Sequence, residues 1–280
     1  MTEFFAVYGS LINFAGINAL LALSLYVPLS AGQLSLGNAA FAGIGAYASA
    51  ILTMRFHLPF PLAIAAGACL SAGVAAAIGA PVLRIRGIFL AMATLAFGEV
   101  VRIAAVNLAI TGGAEGLIGI PTRTTTLIIY GSLAASAYFL VVLRGSRIGW
   151  SFAAIREDET AAMVMGVHTA RYKNISFISG AFLAGIAGAL YAHLNFLITP
   201  GEFGFAAEVQ LLMFNIVGGT RSVFGPILGA FLLTALPEVL RGVGVTAGPL
   251  RLGVNGVILL LVILYLPNGM TSLFPQKARV

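Results

Sequence analysis

The chain has 280 residues, of which 60% are apolar and only 9% charged, with a formal net charge of +6 and a mean hydropathy of +1.02. A soluble domain carries about 25% charged residues because water must wet its outer faces, so these values exclude a soluble globule. Nor does the basic excess point to nucleic acid, because Lys and Arg are scattered without a basic stripe or aromatic platform.

A spanning helix needs roughly 20 mainly apolar residues, and no charge falls between Glu3 and Arg55, which is room for two. The pattern predicts spans at about 6–28, 33–54, 60–83, 87–108, 125–143, 174–197, 206–219, 223–240 and 251–266. Pro28, Pro59, Pro61, Pro81, Pro121, Pro200, Pro249, Pro267 and Pro275 sit at or near the ends of these runs, where a missing N–H costs least. The runs are continuously apolar rather than alternating, which argues against a β-barrel. The expected fold is therefore all-α and polytopic, with about nine transmembrane helices (8–10). The seventh is short for a crossing and is expected to be tilted or re-entrant. No Lys or Arg precedes the first apolar run, so the first span is expected to be retained rather than cleaved as a signal peptide.

Orientation follows from the basic residues. With the N-terminus outside, the inner segments hold Arg84, Arg86, Arg144, Arg147, Arg156, Arg171, Lys173, Arg221, Lys277 and Arg279. Arg55, Arg102, Arg123, Arg241 and Arg251 then lie outside or near the outer end. Basic residues favour the cytoplasmic side, so the expectation is an outside N-terminus and a cytoplasmic C-terminus. Residues 1–280 form one membrane domain with a cytoplasmic loop at 144–173. The glycine-dense runs at Gly43–Gly45 and Gly180–Gly188 are expected to be seams where helices approach closely.

Few polar groups lie within the spans. Gln33, Ser35 and Asn38 open the second, and Thr94 lies in the fourth; such groups either line a path or satisfy a broken helix end. Glu99 and Arg102 stand three apart on the fourth span and can pair on one face. Intramembrane charge is a functional hypothesis by default, against a structural pair with Arg102 snorkelling outward. No further buried ionisable residue is expected.

In the 144–173 loop, Asp158 suits an N-cap, Glu159 the first turn, and Gly166 a C-terminal stop. The short helix between them presents Met163 and Met165, adaptable residues suited to a partner's groove; an ordinary solvated loop helix is the alternative. No Gly-Lys pair exists for a phosphate-binding loop. His57, His168 and His193 lack metal-ligand spacing, so neither a metal site nor a catalytic centre is expected.

Four segments in order, Gly32–Phe41, Gly87–Arg102 with Thr111–Gly116, Ile155–Lys173, and Gly218–Pro226 with Leu266–Gly269, resemble the LivM-type permeases of branched-chain amino acid ABC importers. The resemblance runs from about Gly16 to Gly269. Asn38 stands where the family commonly has His, and Ala114-Glu115 where it has Pro-Asn. The resemblance implies a permease of the bacterial inner membrane that moves Leu, Ile and Val by alternating access. It implies a second, similar permease, two cytoplasmic ATPase subunits, and an extracytoplasmic substrate-binding protein. It also implies ATP and Mg on the partner ATPases, with no cofactor on this chain. Arg156, Glu157, Asp158, Glu159, Ala161, Ala162, Met163, Met165 and Gly166 match the family's ATPase-coupling loop. The Glu99–Arg102 pair, which the family shares, is then read as structural. Permeases for other amino acids, urea, short amides or sugars, and a self-contained secondary transporter, are the alternative readings.

Overall fold

In hydrocarbon a chain must satisfy its own backbone, and a helix does so within one segment. The computed structural model describes residues 2–85 and 87–242, together with 256, 264, 269 and 270. The helices are α1 (Thr2–Ser30), α2 (Asn38–Arg55), α3 (Phe60–Val82), α4 (Ile88–Asn107) and α5 (Thr126–Arg144), then α6 (Arg147–Glu157) and α7 (Glu159–Val164), and finally α8 (Thr169–Leu194), α9 (Phe205–Gly218) and α10 (Phe224–Gly242). Two short strands, β1 (Leu117–Ile118) and β2 (Leu197–Ile198), pair antiparallel with Leu117 opposite Ile198.

Eight of these helices correspond to the first eight predicted spans; the ninth, 251–266, lies outside the described residues apart from Gly256 and Leu264. Five are long and apolar enough to cross a membrane: Tyr8–Ser30, α3, α4, α5 and α8. Two depart from simple crossings. The second begins at Asn38 rather than at residue 33, because the chain from Ala31 to Gly37 leaves the helix. The seventh, α9, has 14 residues, about 21 Å at 1.5 Å each, short of a core roughly 30 Å thick. Helix α6 lies in a segment where the sequence reading placed only a loop.

Of these five, Tyr8–Ser30 and α8 are the most buried, and α4 and α5 the least. Large apolar side chains on the outer faces, among them Phe89 and Met92 of α4 and Leu127 and Phe139 of α5, are where lipid replaces water as the solvent. Glycines let α8 sit against three neighbours at backbone distance. A methyl group on Gly180 would fall 2.7 Å from the Ser24 carbonyl oxygen of α1, and one on Gly185 would fall 2.8 Å from Ala68 Cα of α3. Gly188 meets the Ala42 carbonyl of α2 in the same way, and Gly45 of α2 would come 2.5 Å from Gly185 Cα. Close approach of this kind replaces the hydrophobic drive between helices in lipid, so the predicted seams are present.

The bundle has two distinct ends. At one, β1 and β2 pair and Thr126 Oγ1 donates to Asn13 Oδ1 at 2.8 Å. At the other, α6 packs beneath the turns that follow α1 and α9, and α7 lies against α8.

A side chain at Gly185 or Gly188 must therefore push α8 off its neighbours. Gly188→Leu is expected to destabilise the protein by roughly 1–3 kcal/mol or more, as overpacking does. Gly73→Ala on α3, where nothing lies within 4 Å, should be neutral or stabilise by up to about 1 kcal/mol. Thermal unfolding of the purified chain in detergent compares the two.

Candidate functional site

The first candidate is the α6–α7 hairpin. Ser146 caps α6, accepting from Gly149 N at 3.4 Å, while Phe152 and Ile155 turn inward and Trp150 stays exposed. Asp158 ends α6 and starts α7: its Oδ1 accepts from Thr160 N at 2.7 Å and Ala161 N at 3.0 Å. These two amides hold the Asp158 carboxyl below the usual carboxylate range. A lowered carboxyl leaves the cap fully present at neutral pH; it weakens only as pH falls below that range.

Gly166 closes α7 in the left-handed region, φ +85°. Gly166 N donates to Met163 O and Val167 N to Ala162 O, both at 3.0 Å, the paired bonds that satisfy a helix's last carbonyls. Ala162 is buried and Ala161 exposed. Val164 and Met165 are more than 80% exposed and Met163 is 40% exposed. The exposed apolar tip is thus Val164 and Met165, with Met163 turned partly inward beside Arg84 and Lys173.

Glu159 does not face an external groove. Its Oε2 lies 2.6 Å from Lys173 Nζ on α8, with both side chains largely covered. Arg156 donates from Nη1 to Thr220 O at 3.1 Å and from Nη2 to Thr220 Oγ1 at 3.0 Å, and its Cα rests against Gly32. Glu157 lines a cavity of about 320 Å³ with Arg144 and Arg221.

The second candidate is the point inside the bundle where α2 starts. Gln33, Ser35, Asn38 and Thr94 are all buried. Ser176 Oγ donates to Gln33 Oε1 at 3.2 Å, and Asn38 Nδ2 donates to Ser24 Oγ at 3.1 Å. Leu36 N donates to Thr94 Oγ1 at 2.8 Å. Ser24 stands six residues before the end of α1, so α2 starts about 9 Å into the bundle. Thr94 thus accepts a backbone N–H of the broken end, and Gln33 and Asn38 tie that end to α8 and α1, while the buried Ser35 Oγ makes no hydrogen bond among the described residues.

Sequence reasoning missed the group that completes this end. Glu208, in the first turn of α9, is buried, and its Oε2 accepts from Ala39 N at 2.7 Å. The expectation of no buried ionisable residue beyond Glu99 and Arg102 is therefore corrected. The signal was a lone acid in the apolar run Phe205–Phe214. Glu99 and Arg102 do pair, with Arg102 Nε donating to Glu99 Oε1 at 2.8 Å. The pair is partly exposed, and Arg102 packs on Gly204, at the turn before α9.

The four segments that carried the resemblance thus meet in space. Leu36 of the first bonds to Thr94 of the second, and Arg156 of the third reaches Gly32 of the first and Thr220 of the last. A methyl group on Gly269 would lie 2.9 Å from the Gly218 carbonyl carbon, so the two parts of the last segment also touch.

A bundle of apolar helices, one of them starting inside it, with a capped helix projecting at one end, is a multi-pass α-helical membrane protein. The chain belongs to the family described as branched-chain amino acid transport system / permease component, whose model matches residues 7–263. The LivM proteins of Salmonella typhimurium and Escherichia coli K12, named high-affinity branched-chain amino acid transport system permease proteins, are each 33% identical over 79% of this chain and 60% of their own length. LivH of Salmonella typhimurium, of the same named system, is 28% identical over 57% of this chain and 51% of its own. The chain spans about 60% of the length of the LivM relatives it matches. No solved structure matches it.

Replacing Glu208 by Leu leaves at least one buried N–H without a partner and should cost roughly 1–3 kcal/mol. Glu208→Gln, which keeps an acceptor, should cost less. Chemical denaturation of the two variants in detergent, read against wild type, tests whether Glu208 holds α2.

Proposed function

We propose that this chain is the membrane-spanning permease subunit of an ATP-driven importer that carries branched-chain amino acids across the bacterial inner membrane. The observation that carries the reading is the α6–α7 hairpin, in a chain whose family is named for that transport. Nine spans in one domain, with the N-terminus outside, place the hairpin and its basic residues in the cytoplasm. A second, similar permease, two cytoplasmic ATPase subunits and an extracytoplasmic binding protein complete the transporter. ATP and Mg belong to the ATPase subunits, and this chain holds no cofactor.

In this reading Val164 and Met165 seat in a groove of the ATPase, since exposed methionine adapts to a partner's surface. Closure of the ATPase pair displaces α7. The Glu159–Lys173 pair carries that displacement to α8, and the Arg156–Thr220 bonds carry it to the start of α10 and the end of α9. Through Glu208 it reaches the first turn of α2. Arg156, Glu157, Asp158, Ala161, Ala162 and Gly166 shape and seat the hairpin.

Two experiments test this. Single cysteines at Thr122 and Ala161, both exposed, in a Cys69→Ser background should label from opposite sides of the membrane. Labelling of both from outside would overturn the orientation. In membranes carrying the complete transporter, Glu159→Lys should abolish ATP-driven leucine uptake at unchanged permease level. Removing one partner of a largely buried pair costs toward the lower end of roughly 3–5 kcal/mol, and Glu159→Lys with Lys173→Glu should restore part of the uptake. Full uptake by Glu159→Lys would refute the coupling role, and no leucine uptake by wild type would refute the function itself.

A further inference from the structure

The proposed function says what crosses but not where this chain holds it. A cavity of about 260 Å³ lies midway along the bundle, above the first turn of α2. Ala39 and Ala42 of α2 form its floor with Gly188 of α8. Its apolar wall includes Phe14 and Leu21 of α1 and Leu211 and Phe214 of α9. Its polar groups are Asn18, Tyr191, Glu202 and Gln210. Sites of this composition, mainly apolar with a few convergent polar groups, take small organic ligands. Transporter sites also gather where helices are interrupted near mid-depth, and here α2 and α9 both begin.

The polar groups are specific in sign. Among the described residues, Glu202 is the one charged side chain in the wall, and no Lys or Arg lines it. Glu202 is held in place: its Oε2 accepts from Thr199 N at 3.2 Å, and it hydrogen-bonds the Tyr191 side chain. Gln210, exposed on α9, supplies an amide with two donors. By contrast, the larger cavity between α2, α3 and α4, about 420 Å³, is walled almost wholly by apolar groups and has Arg102 at its edge.

We infer that this cavity is a transit site for a zwitterionic amino acid with a branched aliphatic side chain. Glu202 receives the α-ammonium, the Gln210 amide donates to the carboxylate, and Leu21, Leu211 and Phe214 surround the side chain. The inference rests on the permease reading for the solute class and adds the residues that bind it. Because the one charge that the described residues bring to the wall is negative, the site selects for the ammonium: a 2-oxo acid with the same carbon skeleton fits the apolar wall but not Glu202.

The test uses thiol labelling in membranes that carry the full transporter. Ala207→Cys and Gln210→Cys, each in a Cys69→Ser background, place a thiol in the cavity wall; Thr122→Cys places one on the distant loop before α5. L-leucine should slow labelling of Ala207→Cys several-fold and leave Thr122→Cys unchanged. Glu202→Gln added to Ala207→Cys should raise the leucine needed for half-protection about tenfold, the loss of one charge-assisted contact. 4-Methyl-2-oxopentanoate should not protect. Absence of leucine protection at both wall positions, or equal protection at Thr122→Cys, overturns the site. Equal protection by the 2-oxo acid, or unchanged half-protection in Glu202→Gln, overturns the role of Glu202. Leucine uptake by wild type in the same membranes separates these failures from failure of the importer reading, which loses uptake altogether.

Discussion

A backbone amide without a partner in hydrocarbon costs several kcal/mol, and that cost organises this protein around residues 31–37. Once the chain leaves the helix there, side chains from other elements must take over the bonds. Thr94 of α4 takes the Leu36 N–H and Glu208 of α9 the Ala39 N–H, while Ser24 of α1 and Ser176 of α8 bond the Asn38 and Gln33 side chains. The late start of α2 therefore fixes the depth and rotation of every helix that serves it. A regular crossing at 33–54 would have needed none of these partners and would have placed no constraint on α4 or α9.

The same region shows why a displacement at one end is not absorbed locally. Helices separated by bulky side chains slide through small rotamer changes, whereas helices touching through backbone have little slack. The contacts of α8 with α1, α2 and α3 are of the second kind. So is the junction of α9 with α10, where Gly218 meets Gly225 and Gly229 meets the Phe214 carbonyl. Arg156 joins this stiff junction to the α6–α7 hairpin through two hydrogen bonds from one planar group, a geometry that transmits direction as well as force.

Much of this was legible in the sequence, because lipid imposes length and composition directly. The spans read from apolar runs match the helix positions of α1, α3, α4, α5 and α8 to within a few residues. The Asp158 cap and Gly166 stop were legible because each rests on local chemistry, a side-chain acceptor and a positive φ. What failed depended on distant partners. Gln33 and Ser35 read as the start of a helix because nothing nearby forbids one; the interruption is decided by Thr94 and Glu208, 58 and 169 residues from their partners. Glu159 read as open to a partner because Lys173, fourteen positions on, is brought back only by the turn at Val167 and His168. Helix α6 was missed for a different reason. Ile148, Phe152 and Ile155 have helical spacing and Ser146 is a good cap, but the charges that flank them, Arg144 and Arg147 before and Arg156, Glu157 and Asp158 after, read as loop.

The placement of the two acids on and just before α9 ties these threads together. Glu202 and Glu208 are separated by less than two helical turns of chain, yet they meet different partners. Glu202 faces the cavity from a turn whose backbone it helps to hold, while Glu208 is sealed beneath α2. Ala39 belongs to both environments: its N–H is held by Glu208, and the residue forms part of the cavity floor. A shift of α9 along its axis therefore cannot leave the cavity unchanged. It must either stretch the Glu208 contact or carry the first turn of α2, and with it the floor, in the same direction. The cost of losing that contact in a water-poor interior favours the second. The buried carboxylate thus makes the start of α2 move with α9, and the apolar wall contributed by Leu211 and Phe214 moves as one body with the floor beneath it.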